Sequence, residues 1–177
     1  MKMRTPFSVV LLLALGIGVS RGNLGETEAQ CIARYGSETD LQDNLAYDVV
    51  GDKAVIFHIK TTHASLNLKV IFFNGVGSHE VFTNADAAGG LSEDQMKAIL
   101  NSESGALKWN RRNSVYHTDR SGETFRTEDW LRSDGATAKF WLSGEAASGK
   151  LTGEIEVSTK EYSIAQRNLD KQDGANQ

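Results

Sequence analysis

Two neighbouring segments of this chain alternate between apolar and polar residues, and this alternation constrains the fold more than any other feature of the sequence. The segments span residues 54–61 and 64–73. Their alternating apolar positions are Val55, Phe57 and Ile59 in the first segment and Leu66, Leu68, Val70 and Phe72 in the second. Successive side chains of a strand point to opposite faces, so a period of two indicates strands with one buried face. The pattern therefore predicts an antiparallel sheet with one dry face.

Turn residues separate these two strands from further predicted strands. Asn74-Gly75 is a strong signal for a two-residue hairpin turn and predicts a fourth strand around residues 78–83. Other turns are predicted at Gly51-Asp52-Lys53, Thr62-His63 and Ser133-Asp134-Gly135, and other strands at residues 45–50, 129–132, 136–142 and 151–159. The polar stretch 110–127 is predicted to be either a long loop or an irregular, solvated hairpin.

Two short helices are marked by capping boxes, in which a Ser or Thr precedes a Gln by three residues. Thr27 and Gln30 belong to a predicted helix over residues 25–36, and Ser92 and Gln95 begin a second helix. The apolar stripe of the second helix consists of Met96, Ile99 and Leu100. Helices this short are marginal in water on their own, so both are expected to dock on the sheet. The predicted fold is α+β, an antiparallel sheet with two short helices packed on one face in a single small domain.

The first 22 residues are typical of a secretory signal peptide. Lys2 and Arg4 precede an apolar run at residues 7–19, which is too short to span a bilayer. Removal of this leader leaves residues 23–161 as the globular domain and residues 162–177 as a polar tail that is either a frayed helix or disordered. The mature protein is therefore expected in the periplasm or outside the cell.

Charge and cysteine content narrow the classes of partner. The formal net charge is −4, and loss of the leader makes the mature chain more acidic. An acidic chain is a poor partner for nucleic acid or anionic lipid, because those ligands are attracted by clustered Lys and Arg. Cys31 is the only cysteine, so the chain has no internal disulfide. The thiol is predicted either to be a buried apolar side chain, to pair between chains or to be reactive. A lipid anchor is rejected, because Cys31 lies a dozen residues beyond the apolar run.

The stretch of residues 25–36 resembles the start of a group of uncharacterised exported bacterial proteins, a likeness that implies no activity. It also resembles, more remotely, the opening of the first module of small outer-membrane assembly lipoproteins of the SmpA/OmlA type, whose domain is similar to β-lactamase inhibitory protein. The matching positions are Gly25, Thr27, Gln30, Ile32 and Gly36. This resemblance implies a helix-plus-sheet module that acts by protein contact rather than by catalysis. Two features depart from it: Ser37-Glu38 stands where those proteins usually carry a Pro, and the lipid-bearing Cys is absent.

Residues suited to catalysis do not form a recognisable motif. The chain has four histidines, at His58, His63, His79 and His117. They fall on separate predicted strands and turns, without the close helical spacing of a zinc site, so no metal or cofactor is expected. The sequence contains no Gly-x-Ser-x-Gly nucleophile elbow. Glu128 and Asp129 are strand neighbours that point to opposite faces, and therefore cannot flank one glycosidic bond.

A basic stretch with an aromatic residue, 108–112, supplies most of the candidate binding residues. The candidates are Trp109, Arg111, Arg112, Arg126, Trp130 and Trp141. Such a patch suits an anionic polymer or the acidic face of a partner, and exposed tryptophans stack against sugars or partner side chains. The competing interpretation places Trp109 in the core with the surrounding charges in solvent, and at least one of Trp130 and Trp141 in the core.

These observations predict an exported, soluble binding or assembly module of the bacterial envelope. Its expected partner is an envelope protein or polysaccharide, with no nucleic acid, membrane span or lipid anchor. The alternative is a small hydrolase acting on envelope polymers, in which His79 or His117 would act with nearby acids.

Overall fold

The computed structural model describes residues 24–38, 40–42, 50–60, 64–85, 89–145 and 151–175. The predicted leader, residues 45–49 of a predicted strand and the Thr62-His63 turn lie outside the described residues. Along the chain the elements are α1 (Glu28–Tyr35), β1 (Asp40–Gln42), β2 (Lys53–Lys60), β3 (Ser65–Phe73), β4 (Val76–Asn84), β5 (Leu91–Ser92), α2 (Glu93–Ser102), β6 (Trp109–Thr118), β7 (Glu123–Arg132), β8 (Thr137–Glu145), β9 (Thr152–Ser158) and α3 (Lys160–Ala175).

The strands form one antiparallel sheet in the order β1-β2-β3-β4-β9-β8-β7-β6, with β5 paired to β9 beyond the end of β4. A helix followed by a four-stranded meander occurs twice: α1 precedes β1–β4, and α2 precedes β6–β9. The last strands of the two halves, β4 and β9, pair with each other and join the halves into one sheet. The predicted α+β fold with an antiparallel sheet is confirmed.

The inner face of the sheet, which α1 and α2 cover, carries the main core. Its fully buried side chains include Val55, Phe57, Leu68, Val70, Phe140, Ile155 and Val157 from the strands. Cys31 from α1 and Met96, Ile99 and Leu100 from α2 complete the same cluster. Complete burial of a large apolar side chain contributes about 1.5–3 kcal/mol, so this layer supplies most of the apolar stabilisation. Both predicted capping boxes, at Thr27 and Ser92, are present.

The Asn74-Gly75 turn between β3 and β4 has the geometry that its sequence predicts. Both residues have positive φ, 55° at Asn74 and 77° at Gly75. A two-residue hairpin turn of type I′ needs positive φ at both central positions, and Asn-Gly adopts it with little strain. Residues 78–83, predicted as the next strand, lie within β4.

Of the two alternatives predicted for residues 110–127, a long loop or an irregular, solvated hairpin, the structure shows the hairpin. Strands β6 and β7 pair from Trp109↔Arg132 to Thr118↔Thr124, with a bulge between Arg111 and Asn113. Nine of the ten residues of β6 are exposed, so no apolar alternation marks this strand in the sequence. Its pairing partner, rather than its burial, defines it.

Residues 162–175, predicted to be either a frayed helix or disordered, belong to helix α3, which lies on the outer face of the sheet. Tyr162 is buried there with Ala54 and Ile71, and its ring stacks on His79 at 4.9 Å. Ser163 shares a hydrogen bond of 2.9 Å with Thr137. One buried aromatic residue anchors an otherwise polar helix, and such a helix gives only a weak apolar stripe in the sequence.

Candidate functional site

Two of the predicted binding residues, Trp109 and Trp130, pack against the inner core. The Trp130 ring lies 5.7 Å from that of Phe140, and the Arg132 guanidinium lies 5.2 Å above the Trp109 ring. Neither indole N–H has a hydrogen-bond partner among the residues that the structure describes. These two side chains hold the β6–β7 hairpin against α2, as the core interpretation of Trp109 predicts.

Two further candidates, Arg111 and Arg126, form an inner-face charge ladder with Glu128, Glu93 and Lys97. Arg111 and Arg126 both reach Oε1 of Glu128, at 3.3 Å and 3.5 Å. The Glu128 side chain is only 2% exposed. Arg126 also pairs with Glu93, at the start of α2, and Glu93 pairs with Lys97 at 2.6 Å. Hydrogen bonds from Lys97 and Arg126 hold the pKa of Glu93 below its ordinary value.

The free edge of β6 lies beside this ladder and ends the sheet. No described strand pairs with the outer side of β6. Val115 and Tyr116 are 53% and 62% exposed. Around them the exposed cations are Lys108, Arg111, Arg112 and Arg120. Residues 108–118 contain no acidic residue, so this edge is basic in a chain that is acidic as a whole.

The two remaining predicted binding residues are Trp141 and Arg112. Trp141 lies on the outer face. It is 40% exposed, with the Lys139 ammonium 4.2 Å from its ring centroid. Its indole N–H donates a hydrogen bond to the Glu156 carboxylate, which opposes the rise that burial causes in the pKa of Glu156. Trp141 and Phe125 line a cleft of about 640 Å³. Arg112 lines a separate hollow with Asp129 and residues of α3.

The structure therefore divides the predicted binding residues among three places: the inner core, the charge ladder with the β6 edge, and the outer face. Sequence analysis did not identify Val115, Tyr116 and Phe125 as exposed residues, because the polar stretch that contains them carries no pattern that separates one face from the other. Glu128, which the sequence places only on the strand face opposite that of Asp129, is buried between two arginines. Strand pairing alone brings these residues together.

The described histidines are scattered. His58 and His117 are exposed. His79 lies under α3, with Nδ1 2.7 Å from the Ser158 hydroxyl and its ring against Tyr162. Burial and the nearby Lys69 lower the pKa of His79 to about 4. His63 lies outside the described residues. Within the described part of the chain no group of three or more His, Cys, Asp or Glu is arranged to hold a metal ion.

Two buried carboxylates, Glu80 and Glu103, lie beneath α1. Burial and the Glu103 carboxylate raise the pKa of Glu80 well above its ordinary value. Burial raises the pKa of Glu103 to about 7, against the opposing effects of the Leu24 backbone N–H and of Arg132. Cys31, 1% exposed, lies in the same region, and burial raises the pKa of its thiol to about 12. The buried alternative for Cys31 is thus the one observed, and a thiol in this setting is poorly reactive.

Comparison with protein-family models, with curated proteins and with solved structures finds no match for this chain. None of the described helices is long and apolar enough to cross a membrane.

Proposed function

We propose that this chain is an exported binding or assembly module of the bacterial envelope that acts by contact with a protein partner. In this proposal the free edge of β6 accepts an extended, acidic segment of the partner as an additional strand. The observation that carries the proposal is the ten-residue edge strand, of which nine residues are exposed.

An edge strand presents unpaired backbone N–H and C=O groups, and natural proteins usually guard it with charges or bulges. In β6 these protective features, charged side chains and a bulge, occur only in the first half of the strand. The bulge and the Arg111-Arg112 pair lie in its first half, whereas residues 114–118 carry neither a bulge nor an Asp, Glu, Lys or Arg. The second half is therefore the part suited to strand addition.

Charge complementarity selects the partner. Arg112 and Arg120 flank residues 114–118 and are both exposed. An added strand with acidic residues at its ends would meet these cations, whereas a second copy of β6 paired antiparallel about Tyr116 would set Arg112 against Arg120. Like charges across a strand pair are destabilising, so the occupant is an acidic segment of another protein rather than a second copy.

The charge ladder supports this role by fixing the edge. Arg126 ties β7 to Glu93 at the start of α2, and Glu128 draws Arg111 of β6 to the same place. An edge held in one geometry loses little entropy when a strand is added, which favours binding.

The test uses a ten-residue peptide of alternating Glu and Val, followed by amide hydrogen exchange. Strand addition predicts that alternate backbone amides of residues 114–118 become protected when the peptide is added, because only alternate residues of an antiparallel edge point outward. Tyr116→Glu places in this half of β6 a negative charge that repels the Glu side chains of the peptide, and should weaken peptide binding by about tenfold or more. Lys171→Glu, on exposed α3, is the matched surface-charge control. Protection that spreads elsewhere, or peptide binding that Tyr116→Glu leaves unchanged, contradicts the proposal.

The alternative of a small hydrolase finds less support. The His79–Ser158 contact resembles a base beside a hydroxyl, but Tyr162 stacks on the His79 ring and α3 covers the pair. Within the described residues no recorded contact joins His79 to a carboxylate, so nothing is seen to orient the imidazole as a general base.

A further inference from the structure

We propose that the outer-face cleft beside Trp141 binds a neutral saccharide chain. This site lies on the opposite face of the sheet from the charge ladder and does not depend on strand addition at β6. Its ligand class follows from how the cleft forms, which aromatic groups line it and which polar groups surround them.

The cleft forms where β4 and β9 separate. The two strands pair only from His79↔Ser158 to Phe82↔Ile155. Beyond that point β5 takes the place of β4, pairing at Leu91↔Gly153. Thr83 and Asn84 therefore continue away from β9, and the gap between them and Glu154 becomes one side of the cleft.

Two glycines allow the main chains to approach closely at the point where β4 and β9 separate. A Cβ added at Gly90 would lie 2.4 Å from the Gly153 backbone nitrogen, and one added at Gly153 would lie 1.6 Å from the Trp141 carbonyl oxygen. Real Cβ atoms do not approach main chain so closely, so both positions require glycine. The close main-chain approach fixes the strand that carries Trp141 at the edge of the gap.

Two exposed aromatic rings provide the apolar surface of the cleft. Phe125 pairs with Ser143 and Thr127 pairs with Trp141, so the two aromatic residues are diagonal neighbours on one face. They are 41% and 40% exposed. Aromatic neighbours at this spacing on a sheet lie within reach of one ligand.

The Trp141 indole is held in place before any ligand binds. Its N–H is bonded to the Glu156 carboxylate, and the Lys139 ammonium lies 4.2 Å from the ring centroid. A ring fixed from two sides loses little freedom when it stacks on a ligand. A ring positioned in advance in this way suits a stacking platform.

Polar groups around the two aromatic rings can form hydrogen bonds with the hydroxyls at the edge of a sugar ring. Thr83, Thr127 and Ser143 contribute hydroxyls, and Glu154 contributes a carboxylate. A pyranose has an apolar ring face that stacks on an aromatic ring, and hydroxyls around its edge that both donate and accept hydrogen bonds. Arg126 also lines the cleft, but its side chain pairs with Glu93 and Glu128 on the inner face. Around Trp141 the Glu154 and Glu156 carboxylates outnumber the Lys139 ammonium, so repulsion disfavours an anionic glycan and a neutral chain fits best. The cleft of about 640 Å³ lies within the usual size range of ligand sites.

The test measures binding of the full chain to cellohexaose, maltohexaose and laminarihexaose by calorimetry and by tryptophan fluorescence. We expect at least one of these neutral hexasaccharides to bind at millimolar concentration or below and to change the emission of the exposed Trp141. Trp141→Ala should weaken this binding by about tenfold or more, because truncation of a buried aromatic contact is typically costly. Trp141→Phe, which retains an aromatic face, should weaken it less.

A second variant and a control separate site from fold. Thr127→Val keeps the side-chain shape, removes one hydroxyl and should also weaken saccharide binding. Tyr116→Glu, on the β6 edge and on the face of the sheet opposite the cleft, should leave saccharide binding unchanged even where it abolishes peptide binding. If none of the three hexasaccharides binds the wild-type chain, or if Trp141→Ala binds as well as the wild type, the saccharide site is wrong, whatever the peptide experiment shows.

Discussion

Glu128 shows how burial changes the value of one charge in this protein. Two arginines contact the same oxygen of Glu128, but they differ in exposure to solvent. The Arg111 side chain is 57% exposed and the Arg126 side chain is 20% exposed. Water screens the exposed pair, so the Glu128–Arg126 contact is the stronger contribution to stability. Oε2 of Glu128 is buried with no hydrogen-bond partner among the described residues.

Glu128→Gln is expected to lower the free energy of unfolding by about 1–2 kcal/mol, because the partly buried Arg126 then keeps only Glu93 as a counter-charge. Arg111→Gln removes only the exposed member and should cost less than about 1 kcal/mol. Urea unfolding of both variants at neutral pH measures the difference. Equal losses would show that the ladder acts as a surface network rather than through a buried carboxylate.

Residue identity predicted some of these roles and missed others. The capping pairs at Thr27 and Ser92 could be assigned from sequence because each is formed between residues only three apart. The burial of Glu80, Glu103 and Glu128 could not, because Glu is rarely buried and its partners come from distant strands. The candidate binding arginines and tryptophans could be named one by one from the sequence. Their division between the two faces of the sheet could not be predicted, because it depends on strand register.

At the scale of elements, α3 depends on a single buried side chain. Tyr162 is 5% exposed, stacks on His79 and meets Phe73 edge to face at 6.3 Å. Tyr162→Ala is expected to cost about 2–4 kcal/mol and to detach α3 from the sheet. Hydrogen exchange should then show the α3 amides opening before those of β4.

Ile164→Ala provides the matched control on the same helix, because Ile164 is 42% exposed. It should change the free energy of unfolding by no more than about 0.5 kcal/mol. A similar loss in both variants would mean that general helix propensity, and not the Tyr162 contact, holds α3 in place.

Elements with an apolar period or a local turn signal were predictable, and elements defined by partners alone were not. β2, β3 and the Asn74-Gly75 turn follow from alternation and backbone preference. β6 has no buried residue and α3 has one, so neither carries a pattern that distinguishes it from a polar loop or tail. Both are recognised only when the whole sheet is assembled.

The whole molecule joins its two halves at β4 and β9, and consecutive residues of β4 serve opposite faces. His79 faces α3 on the outer side, whereas Glu80 faces Glu103 and the core under α1. Burial acts on both faces but in opposite electrostatic senses, because it disfavours the cation of His79 and the anions of the two glutamates. Stability of the assembled fold therefore depends on pH through two opposing contributions.

The signs follow from the direction of each shift. The pKa of His79 falls to about 4 in the folded state, so its contribution is present above about pH 6.5 and is lost as the pH falls through 4. The pKa of Glu103 rises to about 7, so its contribution is present below about pH 4.5 and is lost as the pH rises through 7. Between about pH 4.5 and 6.5 the two groups change the free energy of unfolding in opposite directions.

Single variants at Glu103 and His79 should separate the two contributions to the pH dependence of the unfolding free energy. Relative to the wild type, Glu103→Gln should make the change of unfolding free energy with pH more positive over this window, by up to about 1.4 kcal/mol per pH unit. His79→Phe, which keeps a ring against Tyr162, should make it more negative by a similar amount. The double variant should restore the wild-type slope, because the sites lie on opposite faces of the sheet and should act nearly additively. Urea unfolding at half-unit steps of pH measures all four slopes. Shifts of the same sign in the two single variants would show that one of these groups does not titrate against its burial as the fold requires.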